Sequence, residues 1–330
     1  MSKPRPLPAH LGSTFTVRAA ADAGVTASRL RRDDLVRPFR GIRTAPASPP
    51  PSLALLDDED PYHRQAEARR LLIAQYAPRL TGTQFISHES AAAMWNAPLP
   101  LAWTDEGDIA ESTDLPVHVS SFGDGHLIRA QGVAAHRARH RTSRFTYIER
   151  IPVADAATTW TSLGGLPLIS LVALGDYFCR VWRAGFGRPD AGRAPLSTIA
   201  RLQAAIDSGR RTGITRLREA VELIREDSWS PKESAVRCHL MFAGLPEPEL
   251  NRDVYDERGA FLGCVDLAYP EQKIAVEYQS VLHHGRYSAD VERLAALRAA
   301  GWIVIEVTAA LLSTPDVLVA RVRAALHSRR

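Results

Sequence analysis

Apolar residues recur at helical spacing along much of this chain, and short β-branched runs interrupt them, with the sharpest pattern in the last third. Ser230, Pro231 and Lys232 make a helix start, because serine caps and proline suits the first turn. The helix is predicted to run to about residue 243, with Glu233 in its first turn. Residues 250–255 and 261–268 read as strands around a turn at 256–259, and the β-branched run 274–278 as another strand. A helix ending near residue 300 and a strand after Gly301 and Trp302 complete that region. Earlier, helices are predicted at 62–76, 88–95, 154–163, 166–180, 196–207 and 213–226, and strands at 117–120 and 145–148. At the front, 16–23 reads as a helix stopped by Gly24. Ser28 then caps a second helix through Leu35 with its arginines outward, Pro38 ends it, and 39–44 alternates like a strand. Helix, turn, helix and wing is the order of a winged helix-turn-helix; a small helical packing subdomain fits the same pattern.

The predicted fold class is therefore mixed α/β, in four parts. A winged helix-turn-helix-like segment spans 1–45, and a linker rich in proline and acidic residues spans 46–61. A mixed α+β domain covers 62–226, and an α/β domain covers 230–330. With 330 residues, 45% hydrophobic and 24% charged, the chain can bury more than one core. Three scattered cysteines, Cys179, Cys238 and Cys264, have no metal-finger spacing and point to a reduced, cytoplasmic setting. The start is polar and proline-rich, unlike a signal peptide, and the longest apolar run, 163–174, is too short for a membrane span.

Net charge is only +4, but its distribution is uneven. Arg29, Arg31, Arg32, Arg37, Arg40 and Arg43 crowd one segment; Arg129, Arg137, Arg139, Arg141 and Arg144, with His136 and His140, crowd another. Arginine-rich faces suit phosphate contacts that release counterions, so DNA is the expected partner, with Arg29, Arg31, Arg32 and Arg40 as its contacts.

Two carboxylates resist explanation by packing. Asp266 lies in the apolar run CVDLA and Glu277 in IAVEY. A carboxylate in an apolar strand is costly unless paired, solvated in a cleft or bound to a cation. On adjacent antiparallel strands the two repel, which raises one pKa unless a metal neutralises them. Mg²⁺ or Mn²⁺ takes such an oxygen-only site, polarises a phosphodiester and lowers the pKa of an attacking water.

The segment VDLAYPEQKIAVEYQ, residues 265–279, resembles the D-x(n)-(D/E)-x-K core of the restriction-endonuclease-like superfamily, nearest its very-short-patch-repair-like branch. The resemblance covers about 230–326 and implies an endonuclease-like fold. It assigns Glu233, Asp266 and Glu277 to the metal, and matches a family histidine with His283 or His284, His284 being preferred to protonate the leaving oxygen or orient water. The run Asp290 to Arg293, a helix and a Gly-Trp strand follow in the family's order; Asp290 and Arg293 themselves read as an i, i+3 ion pair. Gln279 stands where the pattern has lysine, and an amide positions water without supplying charge. Lys273, four residues before Glu277 on the same face of the predicted strand, and Lys232 are the candidate substitutes for that lysine. Residues 15–44 resemble the winged helix of AbiEi-like antitoxin or transcriptional-regulator proteins, whose middle part is similar to 88–92 and 151–179 here. The combined expectation is a Mg²⁺-dependent DNA endonuclease. The alternatives are a non-catalytic regulator with a cognate toxin or phage-defence partner, and an RNA-processing nuclease.

Overall fold

Thr16 ends a short strand and caps the helix that follows it, its hydroxyl accepting from the amide of Ala19 at 3.0 Å. That strand, β1 (Thr14–Thr16), pairs antiparallel with β2 (Ile42–Thr44), and α1 (Val17–Asp22) lies between them in sequence. The computed structural model describes residues 6–45, 60–125, 127–279 and 287–329. The described part is a mixed α/β fold that divides into two compact units, one of residues 1–165 with 204–212, the other of 166–203 with 213–330. Residues 46–59, most of the expected linker, fall outside the described residues.

In the first unit the predicted second helix is absent: Arg29–Arg31 forms one 3-10 turn, and Ser28 makes no side-chain cap. Arg29 instead forks onto Asp34 through two bonds of 2.9 and 2.8 Å, and Arg43 Nε donates to the Leu30 carbonyl at 2.7 Å. The bond from Arg43 takes up a backbone carbonyl that a helix would have left to its ladder. Around Phe15, Ala20, Leu30 and Leu35 a small core still forms. Next come α2 (Pro61–Tyr76), β3 (Gln84–Ile86), α3 (His88–Met94), β4 (Val117–Phe122), β5 (Val133–Ala138), β6 (Phe145–Ile148), β7 (Ile151–Ala154) and α4 (Ala156–Ser162). Their sheet has the order β5-β4-β3-β7-β6, with β4 parallel to β5 and antiparallel to β3. Ile73, Tyr76, Phe85, Ile86, Val119 and Val153 fill its core.

The second unit adds α5 (Leu168–Cys179) and α7 (Ile214–Leu223), with α6 (Ile199–Asp207) preceding the latter. It continues with α8 (Pro231–Phe242), β8 (Glu249–Tyr255), β9 (Phe261–Tyr269), β10 (Ile274–Tyr278), α9 (Tyr287–Ala299), β11 (Ile303–Val307), α10 (Ala309–Leu312) and α11 (Pro315–Ser328). The sheet order is β11-β10-β9-β8; β10 and β11 are parallel, the other pairs antiparallel. Val236 and Leu240 of α8 pack with Leu318, Val319 and Val322 of α11 against Leu267, Ile274 and Val276. Leu294 and Leu297 of α9 close a second cluster with Val265, Ala268 and Ala275. Helices thus supply both apolar clusters of a sheet whose strands carry nearly continuous apolar runs. Asp176 of α5 and Arg237 of α8 form a buried ion pair at 3.2 Å, the reason α5 belongs with this sheet. Among the described residues no helix is long and apolar enough to cross a membrane.

Candidate active site

The strand register builds the site. Leu267 pairs with Val276, so one step further along the ladder Asp266 faces Glu277. Leu250 pairs with Leu267 and Arg252 with Val265, which sets Asn251 opposite Asp266. Glu277 in turn pairs with Glu306 on β11. A polar row therefore crosses four strands otherwise filled with valine, leucine and alanine. Asp266 also explains how the β9–β10 ladder ends, since its Oδ2 accepts from the amide of Tyr278 at 2.9 Å.

Glu233 joins from the helix side. Ser230 caps α8 by accepting from the Glu233 amide at 3.2 Å, the first half of a capping box. The Glu233 carboxylate reaches back to the amide of Trp229 at 2.9 Å and accepts from Asn251 Nδ2 at 2.7 Å. Asn251 donates also to the Asp227 carbonyl at 2.7 Å and is held at φ 47°, left-handed backbone inside a strand. Such a conformation costs energy and persists where neighbouring bonds impose it.

Glu277 is 3% and Glu233 5% exposed, and Asp266 is half-buried. Arg293 of α9 forks onto Glu277, Nη1 to Oε1 at 2.8 Å and Nη2 to Oε2 at 3.1 Å, and Nη1 also reaches the Cys264 carbonyl at 3.2 Å. Asp290 lies 3.7 Å from Arg293 Nε, so the anticipated i, i+3 pair is present, but the guanidinium's main partner is Glu277. Burial and then the Glu233 charge push Asp266 up to about 7, against the Tyr278 amide and Arg293. Burial and then Asp266 push Glu277 up to about 7 despite its guanidinium. Burial raises Glu233 too, opposed by the bonds from Trp229, Asn251 and Ser230.

These shifts fix a pH dependence. Between the ordinary carboxylate range and pH 7 the folded chain holds protons that the unfolded chain has released. Stability of this unit should therefore fall as pH rises from the ordinary carboxylate range to about 7, and level off above. Hydrogen exchange of β9 and β10 amides across that range checks the slope; flat protection contradicts it.

The other anticipated site residues do not all converge. Gln279 follows β10 directly, half-buried, with its amide on the Val307 carbonyl at 2.8 Å. Lys273 does not join the carboxylates. It sits in the β9–β10 turn at φ 48°, exposed, with Nζ 3.3 Å from the Ala300 carbonyl. Four residues of strand at about 3.3 Å each put its backbone about 13 Å from that of Glu277. Lys232 is half-buried on the first turn of α8. His283 and His284 lie outside the described residues. Arg29 is half-buried on Asp34, whereas Arg31, Arg32 and Arg40 are exposed. Sequence reasoning missed Asn251 and the Arg293–Glu277 fork, because sheet register and helix packing, not spacing, bring those residues together. The three carboxylates share one electrostatic neighbourhood, but they do not supply three oxygens all within 4.8 Å of one another.

No family model matches the chain, and no solved structure matches it. Two uncharacterized proteins of Mycobacterium tuberculosis, one from strain H37Rv and one from strain CDC 1551, are each 31% identical to it over 100 residues. That stretch is 29% of this chain and 36% of each relative, so the match spans about a third of the relatives' own length.

Proposed function

We propose that the C-terminal sheet carries a divalent-cation-dependent phosphodiesterase site of the endonuclease type, with DNA as substrate. The observation that supports this most is the charge balance among the described residues. Glu233, Asp266, Glu277 and Asp290 act on one another against two guanidiniums, Arg293 and Arg180. Fully ionised, that set is left with two negative charges. Two protons can neutralise it, and so can one divalent cation. Carboxylates alone suit a hard cation such as Mg²⁺ or Mn²⁺. Asp266 Oδ2 takes the Tyr278 amide; the Asp266 carboxylate and that of Glu277 would hold the ion, with Glu233 behind them. A cation there supplies Lewis acidity toward a phosphodiester and a more acidic water. Gln279 is placed in sequence to orient water by its amide, without adding charge. In this reading Mg²⁺- or Mn²⁺-dependent nicking of plasmid DNA is expected from the full chain and is lost in Asp266→Ala and Glu277→Ala. Equal cleavage by wild type and both variants removes the assignment, and cleavage of RNA alone moves it to RNA processing.

One observation favours a second reading. Arg293 already engages both Glu277 oxygens, and no lysine joins the site from Lys273. If the guanidinium serves in place of the cation, the domain is a non-catalytic part of a DNA-binding regulator or antitoxin. Tight DNA binding with no cleavage in either metal would select it. In both readings the exposed Arg31 and Arg32 are DNA contacts. Their double alanine variant should bind DNA more weakly and lower the slope of log affinity against log salt by about 2. An unchanged slope assigns these arginines to the protein surface alone.

A further inference from the structure

Away from the carboxylates, the first unit gathers three histidines. His88 opens α3, His118 lies in β4 and His136 in β5. In the parallel β4–β5 pairing His118 faces Ala134 and Ser120 faces His136, so the two imidazoles are on one face, two residues out of step. His118 Nδ1 is 2.9 Å from His136 Nε2, and the His88 and His136 rings stack with centroids 3.6 Å apart. One nitrogen from each of the three lies within 4.8 Å of the other two. All three residues are half-buried.

What surrounds the rings fixes which nitrogen each can offer. His88 Nδ1 is 3.0 Å from Ser87 Oγ, which itself accepts from Ser120 Oγ at 2.8 Å, leaving Nε2 of His88 for another partner. His118 Nε2 is 3.2 Å from Glu89 Oε2. That carboxylate oxygen is buried with no donor aligned on it, a costly state for an acceptor. A small rotation of the His118 ring would align an Nε2 proton on that oxygen, which leaves Nδ1 bare toward His136. Carboxylate to imidazole to metal is the arrangement that orients histidine ligands. His88 also holds φ 51°, a strained backbone for a side chain of this size. Burial first, then the neighbouring imidazoles, push His88 and His118 down to about 3, and burial lowers His136. Two other charges face the cluster, Glu89 and the buried Arg69, and they offset each other.

We propose that His88, His118 and His136 form a three-histidine site for a borderline transition-metal cation, Zn²⁺ in the first instance, through His88 Nε2, His118 Nδ1 and His136 Nε2. Imidazole nitrogens suit zinc and not Mg²⁺, which separates this site from the carboxylates of the other unit. Zinc–nitrogen distances of about 2.0–2.1 Å require ligand nitrogens about 3.3 Å apart in a tetrahedron, so the His118–His136 contact opens by a few tenths of an ångström and the His88 ring rotates out of its stack on His136 to aim Nε2 at the ion. Three protein ligands on a half-buried surface leave the fourth position to water or to an anionic ligand.

Calorimetric titration of Zn²⁺ into the full chain at neutral pH should give one site per chain, which excess Mg²⁺ does not displace. His136→Ala and His118→Ala should abolish it, with the fold checked by circular dichroism. Glu89→Gln, which keeps every ligand, should weaken it by about 10–100-fold. Asp266→Ala should leave Zn²⁺ binding unchanged, so failure of the carboxylate site and failure of this one are distinguishable. Absence of stoichiometric Zn²⁺ binding by the folded wild-type chain overturns the proposal, as does binding that survives both histidine substitutions.

Discussion

Asp176→Ala is expected to destabilise the C-terminal unit by about 3–5 kcal/mol, the usual cost of stranding a buried charge. Arg237, its partner, is fully buried and donates to Asp176 Oδ2 at 3.2 Å, to the Leu223 carbonyl at 2.7 Å and to Glu247 at 3.1 Å. Asp176 also accepts from Ser234 Oγ at 2.7 Å and from the Arg225 amide at 2.7 Å. One carboxylate thereby fastens α5, the end of α7 and α8, the helix that carries Glu233. Deleting it leaves a guanidinium with one lost anion and no route to water. The effect should appear in urea unfolding and as lost amide protection in α5 and α8. Replacing both partners together, Asp176→Leu with Arg237→Met, should recover much of the loss, because the buried guanidinium that lost its buried anion is then gone as well. A single substitution costing under about 1 kcal/mol would mean that the pair is far better solvated than its burial implies.

The second large effect couples activity to stability with opposite signs. Asp266→Asn and Glu277→Gln keep the shapes of the side chains and remove the repulsion and desolvation that drive both acids up to about 7. At about pH 8, where both are ionised in the wild type, Asp266→Asn should make the unit more stable, since it removes a buried charge whose main neighbours are acids. Glu277→Gln should gain less, because it also breaks the fork from Arg293. Cation-dependent cleavage should nevertheless fall by roughly 1000-fold or more in either variant, the loss expected when a metal ligand is neutralised. Denaturant unfolding and plasmid nicking at the same pH measure the two halves. A functional site that stores instability gives this trade. A purely structural Asp266 would lose stability on substitution and leave any DNA cleavage untouched.

Much of the C-terminal unit was legible because its local signals agree. Ser230-Pro231 starts α8 as the cap and proline dictate, and the β-branched run beginning at Ile274 ends as a strand at Tyr278. Asp266 and Glu277 stood out because apolar strands seldom carry acids. Legibility failed where tertiary bonds decide. The second helix of the N-terminal segment is a single turn in which Arg29 is bonded to Asp34 and Arg43 to the Leu30 carbonyl, contacts that no spacing announces. Strands β3, β5 and β7 are short, half polar or proline-bearing, and only their neighbours make them strands. His118 and His136 are 18 residues apart and meet through parallel pairing, for which no sequence spacing is diagnostic. A spacing of four suggests a shared strand face for Lys273 and Glu277, but Lys273 belongs to the turn that precedes β10.

Whether the acids of β9 and β10 bind a cation is tested most directly by diffraction from crystals of the full chain soaked in Mn²⁺ at about pH 8, using the anomalous signal of the metal. The charge balance predicts one Mn²⁺ at about 2.0–2.3 Å from a carboxylate oxygen of Asp266 and one of Glu277, with Arg293 released from at least one Glu277 oxygen. A carboxylate row with no anomalous peak, and Arg293 still on both oxygens of Glu277, would contradict it.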